Sequence, residues 1–176
     1  DRLVETEQKY PDGDLRNVLW LYQMARDVYL QGEWDALLIL EHDNLLPDTH
    51  AVQRLLETPG DIVYAPYRLR RGATMLSTWK AVGARDTHLG RPLDKRPEDL
   101  AAARRSVVYP VSGVGFGCTL IQRKVLKAIP FRASSSKNVC PDVGFAKATH
   151  KLGFVNNGRF DVPVKHWNGK EWLEPW

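Results

Sequence analysis

Cysteine is scarce in this sequence, and several other common signatures are missing. The 176 residues include only two cysteines, Cys118 and Cys140, so a disulfide framework is not indicated and a reducing compartment is the simpler expectation. No stretch is apolar over the roughly 20 residues that a membrane-spanning helix needs. No signal-peptide pattern opens the chain. These absences favour one globular domain in the cytoplasm, with peripheral attachment to a membrane as the alternative.

Acidic residues become scarce after residue 67. Residues 1–67 hold 5 Lys and Arg against 13 Asp and Glu, whereas residues 68–105 and 106–176 each hold 10 against 4. The basic remainder favours anionic partners such as nucleotide phosphates, acidic glycans, lipid headgroups or nucleic acid. A solvated surface without a partner is the alternative. Because no nucleic-acid-binding motif accompanies the basic residues, a nucleic-acid-binding domain ranks last among the possible functions.

Apolar residues recur with two different spacings in the first 65 residues. Helical spacing over residues 18–29, ahead of Gly32, predicts a helix that Asp14 can cap. The apolar runs at residues 36–40 and 62–65 predict strands buried on both faces, with a short helix between them. This β-α-β order predicts an α/β fold with a mostly parallel sheet.

The second half of the chain predicts further strands and helices. Residues 107–122 favour a pair of strands interrupted by glycines, and a short helix follows over residues 123–128. Three consecutive serines within residues 132–138 indicate a mobile loop. The pattern of residues 142–152 predicts another helix.

Two carboxylates follow the first predicted strand directly. Glu41, His42 and Asp43 lie at its carboxyl end, where ligands bind in open α/β sheets. Acidic side chains one residue apart can face the same divalent cation or its waters, and oxygen ligands suit Mg²⁺ or Mn²⁺. The alternative is that Asp43 caps the turn and Glu41 is solvated.

The segment around these carboxylates resembles a known family. Residues 37–47 (LLILEHDNLLP) are similar to the region of the Asp-x-Asp motif in GT-A glycosyltransferases, especially those of family 2. Further segments resemble that family in the same order, and together they cover most of residues 15–167. They are the Arg-Asn at residues 16–17, the strand at 61–67, the glycine-bearing strand at 113–123, the Asp-containing segment at 140–145, the Gly-Phe turn at 153–154, and His166.

The resemblance implies a role for each matching residue on the donor side. Asp43 would bind the metal that bridges the donor diphosphate, and His166 would be a remote metal ligand. Glu41 stands where the family has the first Asp, so it would contact the ribose, the metal or a metal-bound water. Asn17 would also belong to the donor side. Asp142 would be the general base that takes a proton from the acceptor hydroxyl.

On the acceptor side, the resemblance implies Gly113 and Gly115, and Trp167 is a candidate platform for a sugar ring. The glycines are not a dinucleotide fingerprint, because a strand rather than a helix is predicted after them. Their spacing favours close approach of substrate to the backbone, or a bulge. Simpler interpretations remain for the other site residues: His166 and Trp167 can pack, and Asp142 can cap a helix.

The implied fold is a GT-A-like, Rossmann-like α/β domain over residues 1–176. It would have a mostly parallel sheet flanked by helices and a smaller mixed sheet on the acceptor side. The implied activity is transfer of a sugar from a nucleotide-diphosphate sugar to an acceptor hydroxyl, with Mn²⁺ or Mg²⁺, by an inverting single displacement. The acceptor would be a glycan, a lipid-linked glycan, a protein or a modified nucleic acid.

The first β-α-β unit of that family has no counterpart before the helix at residues 18–29. It could be missing from this chain, or a partner or second copy could supply it, since an open sheet edge is usually covered. Alternatively, the protein could be a noncatalytic relative. A nucleotide-sugar-binding or carbohydrate-binding module without turnover is therefore the second candidate function.

Overall fold

The computed structural model describes residues 9–11, 14, 16–70, 76–80, 92–132 and 141–176. Its helices are α1 (Arg16–Gln31), α2 (Ala51–Glu57), α3 (Pro97–Ser106), α4 (Arg123–Ala128) and α5 (Pro141–Lys151), and a 3-10 turn spans Leu93–Lys95. Its strands are β1 (Ala36–Leu40), β2 (Asn44–Leu45), β3 (Ile62–Tyr64), β4 (Thr78–Lys80), β5 (Val108–Val114), β6 (Cys118–Gln122), β7 (Asn156–Arg159), β8 (Lys165–Trp167) and β9 (Trp172–Leu173).

These strands form two sheets in a mixed α/β architecture. The larger sheet has the order β1-β6-β3-β7-β5-β4, and the smaller one has the order β2-β8-β9. In the larger sheet only the β3–β7 pair is parallel, while its other pairs are antiparallel. Both pairs of the smaller sheet are antiparallel. The predictions of a mostly parallel main sheet and a mixed smaller sheet are therefore wrong.

Strand β6 explains the error. It lies between β1 and β3, with Leu120 opposite Leu38 on one side and Val63 on the other. β1 and β3 therefore run in the same direction without pairing. An apolar run indicates burial of a strand but carries no information about the strand beside it. The two strands also differ in burial. All three residues of β3 are buried, whereas in β1 only Ile39 is buried, because β1 is at the edge of the sheet.

Several predicted elements are confirmed. Strand β1 and helix α4 have the predicted bounds, and α1 ends directly before Gly32. The side chain of Asp14 accepts a hydrogen bond from the Arg16 N–H at 2.9 Å, as expected of a helix cap. From residue 133 onward, the predicted serine loop lies outside the described residues, as does Cys140.

A cluster of aromatic rings joins three parts of the chain. The Phe116 ring lies 5.3 Å from those of Tyr22 in α1 and Phe145 in α5, measured between centroids. Phe131 stacks on Phe145 at 5.0 Å. These contacts hold α1 and the start of α5 beside the turn between β5 and β6.

Two further observations concern the described residues as a whole. None of their helices is both long and apolar enough to cross a membrane. Cys118 is a free, buried thiol in β6, and its burial raises the pKa of the thiol to about 12.

Candidate active site

The turn that follows β1 connects the two sheets. Glu41 donates its backbone N–H to the carbonyl of Gly117 at 3.0 Å, next to β6 of the larger sheet. The carbonyl of Asp43 accepts the N–H of Trp167 at 2.8 Å, in β8 of the smaller sheet. The backbone position of both carboxylates is therefore fixed by residues that are distant in the chain.

Asp43 and His166 face each other between β2 and β8. The distance from His166 Nε2 to Asp43 Oδ2 is 3.5 Å, and the two side chains are only 8% and 11% exposed. His166 Nδ1 donates a hydrogen bond to the carbonyl of Arg68 at 2.6 Å, which leaves Nε2 as the nitrogen facing Asp43. Burial, together with the positive charge of Arg70, lowers the pKa of His166. The neutral imidazole, which is the form that binds metals, is thereby favoured.

The two carboxylate oxygens of Asp43 have different partners. Asn44 Nδ2 donates to Oδ1 at 2.9 Å. The guanidinium of Arg70 forms an ion pair with Oδ2, and its Nε donates to the carbonyl of Trp167 at 3.0 Å. Arg70 thus belongs to the site, whereas its neighbour Arg71 lies outside the described residues.

Glu41 is held from the other side by helix α1. The hydroxyl of Tyr22 donates a hydrogen bond to Glu41 Oε1. Burial and the negative charge of Glu41 raise the pKa of Tyr22, so this hydroxyl keeps its proton and remains a donor.

Asp142 approaches the same region from the start of α5. It is the second residue of the helix, after Pro141, and the Val143 N–H donates to its Oδ1 at 2.7 Å. Burial raises the pKa of Asp142. A Cβ placed on Gly115 would overlap the hydroxyl oxygen of Tyr67 and lie 3.7 Å from Asp142 Oδ2. The missing side chain at Gly115 is what lets the Tyr67 hydroxyl approach the backbone, with Asp142 Oδ2 at ordinary contact distance beside it.

Glu41 and Asp142 share one electrostatic environment. Burial is the main reason that the pKa values of Tyr22 and Tyr67 are raised, and the negative charges of both carboxylates add to the effect on both tyrosines. Sequence reasoning missed the two tyrosines and Asn44 because aromatic residues and an isolated amide are usual in a core. The available signal was position: Asn44 follows Asp43, and Tyr67 follows β3.

Asn17 and Gly113 have structural surroundings that are well defined. The Asn17 side chain accepts the Tyr10 N–H at 2.8 Å and donates to the carbonyls of Tyr10 and Pro11 at 3.0 and 3.2 Å. It therefore anchors the segment that precedes α1. Gly113 lies inside β5, opposite Trp79 of β4.

Trp167 contributes its backbone to the site. Its N–H bonds to Asp43 and its carbonyl to Arg70, as described above. Its indole is 36% exposed, and its ring centroid is 5.4 Å from that of Trp172, the residue opposite it in β9. Because neighbouring residues of a strand face opposite sides of the sheet, this indole points away from the side that His166 occupies.

The site offers few ready ligands for a divalent cation. Among the described residues, no group of three or more His, Cys, Asp and Glu side chains is arranged to hold a metal ion. Two atoms that can bind a metal nevertheless lie close together, Asp43 Oδ2 and His166 Nε2. The other ring nitrogen of His166 is hydrogen-bonded to a backbone carbonyl, as is usual for metal-binding histidines. Asn44 Oδ1 is a buried oxygen with no hydrogen-bond partner in the described part of the chain. Mg²⁺ and Mn²⁺ fit such a site because they complete their shell with waters and substrate phosphates.

Comparison with solved structures identifies a similar fold. The chain is similar to the protein in "Crystal Structure of A197 from STIV", with a TM-score of 0.58 and 20% sequence identity. The match covers 89% of this chain and 75% of that chain. No protein-family model matches the sequence, and the search of curated proteins gives no match. At this identity the likeness shows the fold alone.

Proposed function

We propose that this protein is a metal-dependent glycosyltransferase with a GT-A-related fold, acting in the cytoplasm. The observation that carries the proposal is the pair formed by Asp43 Oδ2 and His166 Nε2, with the other nitrogen of the imidazole anchored by a carbonyl. Asp142 and Glu41 supply two further carboxylates near this pair, and the negative charge of each raises the pKa values of Tyr22 and Tyr67. A diphosphate-binding cation and a separate base are what this reaction requires.

On the donor side, Asp43 and His166 would hold Mn²⁺ or Mg²⁺. The cation would offset the charge that develops on the departing nucleoside diphosphate. Glu41, oriented by Tyr22, would accept a hydrogen bond from the nucleotide ribose or from a metal-bound water. Asn17 would act from farther away, by holding the segment at residues 10–11.

On the acceptor side, Asp142 would act as the general base. Its raised pKa makes it a stronger base than an ordinary aspartate. It would take the proton as the acceptor oxygen forms a bond to the anomeric carbon and the bond from that carbon to the phosphate oxygen breaks. One base and one displacement give inversion. The acceptor hydroxyl of a glycan, lipid-linked glycan, protein or modified nucleic acid would approach along Gly115.

The test is release of nucleoside diphosphate from a panel of sugar nucleotides, with Mn²⁺ or with a chelator. We expect release by the wild type that requires the metal and is lost in Asp43→Asn, because the amide no longer carries the negative charge that attracts the cation. Asp27→Asn is the matched control, since Asp27 is exposed on α1 and pairs with Arg26. It should keep full activity.

Two other results would contradict the proposal in different ways. Metal-dependent binding of a sugar nucleotide without any release, in the presence of varied acceptors, would indicate the noncatalytic binding module. Release that survives in Asp43→Asn would mean that the chemistry takes place elsewhere.

A further inference from the structure

Arg70 contacts the one oxygen of Asp43 that faces His166. Oδ1 is taken by Asn44, whereas Oδ2 faces both His166 Nε2 and the Arg70 guanidinium. A cation held by Asp43 and His166 would need the same oxygen. Arg70 and a divalent cation are therefore competitors for Asp43.

The position of Arg70 suits movement between two partners. Its side chain is 47% exposed, while that of Asp43 is 11% exposed, so the guanidinium enters the site from the solvent side. Its second bond is to the carbonyl of Trp167, which is neutral. If a doubly charged cation displaced the Arg70 guanidinium, the two positive charges would repel each other. A diphosphate is an anion whose oxygens the planar guanidinium can bind in pairs.

We propose that Arg70 is a donor-binding residue that substitutes for the cation. It holds Asp43 in the absence of metal and transfers to the donor diphosphate once the metal occupies Asp43 and His166. This inference rests on the proposed function. It predicts that Mn²⁺ and nucleoside diphosphate bind cooperatively, because each favours the displaced position of Arg70, and such coupling is reciprocal.

The experiment measures binding rather than turnover. Mn²⁺ alone is titrated into wild type, Arg70→Ala, Arg70→Lys and Arg105→Ala, by electron paramagnetic resonance of free Mn²⁺. Uridine, guanosine, cytidine and adenosine diphosphates are then titrated calorimetrically at saturating Mn²⁺. Arg105 is exposed in the last turn of α3, so its variant removes the same charge away from the site.

We expect Arg70→Ala to bind Mn²⁺ alone about fivefold more tightly than wild type, since breaking an ion pair whose guanidinium is half-exposed has this order of cost. The same variant should bind the preferred diphosphate about tenfold more weakly, because a charge-assisted contact is lost. Arg70→Lys keeps the charge but not the planar fork, so it should bind Mn²⁺ almost as wild type does and still bind the diphosphate weakly. Arg105→Ala should match wild type.

The outcomes separate this inference from the proposed function. Unchanged or weaker Mn²⁺ binding by Arg70→Ala, with clear binding by wild type, would overturn the inference and leave the metal site intact. Absence of Mn²⁺ binding in both proteins, with and without diphosphates, would overturn the metal site and the proposed function. Should Arg70→Ala fail to fold, unaltered diphosphate affinity in Arg70→Lys would overturn the inference.

Discussion

The three oxygens of Asp43 have different partners. Its carbonyl accepts the N–H of Trp167, and its Oδ1 accepts a hydrogen bond from Asn44 Nδ2. Its Oδ2 faces His166 and Arg70. The carboxylate is therefore oriented before any ligand arrives. Such preorganisation reduces the cost of assembling a binding site.

Substitution of the histidine tests the ligand pair directly. His166→Gln should weaken Mn²⁺ binding at least about tenfold, since even the loss of an outer partner of a metal ligand has this order of effect. The measurement is a Mn²⁺ titration by electron paramagnetic resonance. His42→Gln is the control, because His42 is exposed in the same turn. Equal affinities of the two variants would remove His166 from the ligand set.

Substitution of the base should affect activity and stability in opposite directions. Asp142→Asn should lower kcat roughly 100-fold or more, as expected for loss of general-base catalysis, with little change in donor affinity. The same variant should melt at a higher temperature at pH 7, because a buried charge is replaced by a neutral amide that can still accept the Val143 N–H. Turnover assays and thermal melts measure the two effects, and a lower melting temperature would argue against the destabilising burial of this charge.

The raised pKa of Asp142 also predicts two dependences on pH. In the proposed mechanism the base is the carboxylate form of Asp142, so kcat should fall as pH drops through the raised pKa, which lies above the ordinary aspartate value of about 3.9. The contribution of Asp142 to the free energy of unfolding depends on pH in the opposite direction. It is present below the pKa that this group has in the unfolded state, and it is lost as pH rises through the pKa of the folded state. Comparison of melts at several pH values between wild type and Asp142→Asn checks this, since the variant should lack that component.

At the scale of elements, the turn between β5 and β6 brings α5 and β3 together. Gly115 lies where Tyr67 from the end of β3 meets Asp142 from the start of α5. The aromatic contacts of Phe116 hold α5 in this position. A single small residue therefore sets how closely two elements approach.

Gly115→Ala should disturb this approach. The new methyl group would overlap the Tyr67 hydroxyl, so we expect a loss of about 1–3 kcal/mol of unfolding free energy. Tyr67→Phe removes the oxygen that the methyl group meets. The double variant should therefore be more stable than the sum of the single effects predicts, a coupling that denaturant unfolding measures. Strict additivity would show that the two positions do not interact.

At the scale of the whole molecule, cation binding should stabilise the fold. A ligand at about 100 times its Kd adds about 2.7 kcal/mol to the unfolding free energy. For a chain of this size that corresponds to a rise in Tm of about 5–10 °C. Wild type should show this rise with Mn²⁺ and lose it with a chelator, whereas Asp43→Asn should show none. An equal rise in both proteins would indicate that the metal binds away from Asp43.

Sequence reasoning predicted elements better than their arrangement. The bounds of β1 and α4 follow from local patterns of apolar residues, and both are confirmed. The direction of pairing depends on which strand lies alongside, and β6, placed between β1 and β3, is distant from both in the chain. A pattern that is read locally does not contain that information.

In the candidate site, too, single residues were predicted better than the contacts between them. Glu41 and Asp43 were found from their position at the end of a strand, and His166 and Asp142 entered through the family resemblance. The resemblance made Asp43 and His166 ligands of the same metal, and the structure places them 3.5 Å apart. The pairing of Asp43 with Arg70 was not predicted, because one arginine in a basic segment looks like any other.

The proposed metal site would form late in folding. Asp43 and His166 are far apart in the sequence, and contacts between such distant residues form late because a long loop must first be closed. A growing chain on the ribosome would lack the second ligand until residue 166 had been made. Capture of the cation at the proposed site would therefore require both segments to have folded together, and would distinguish such molecules from intermediates in which β2 and β8 are not yet paired.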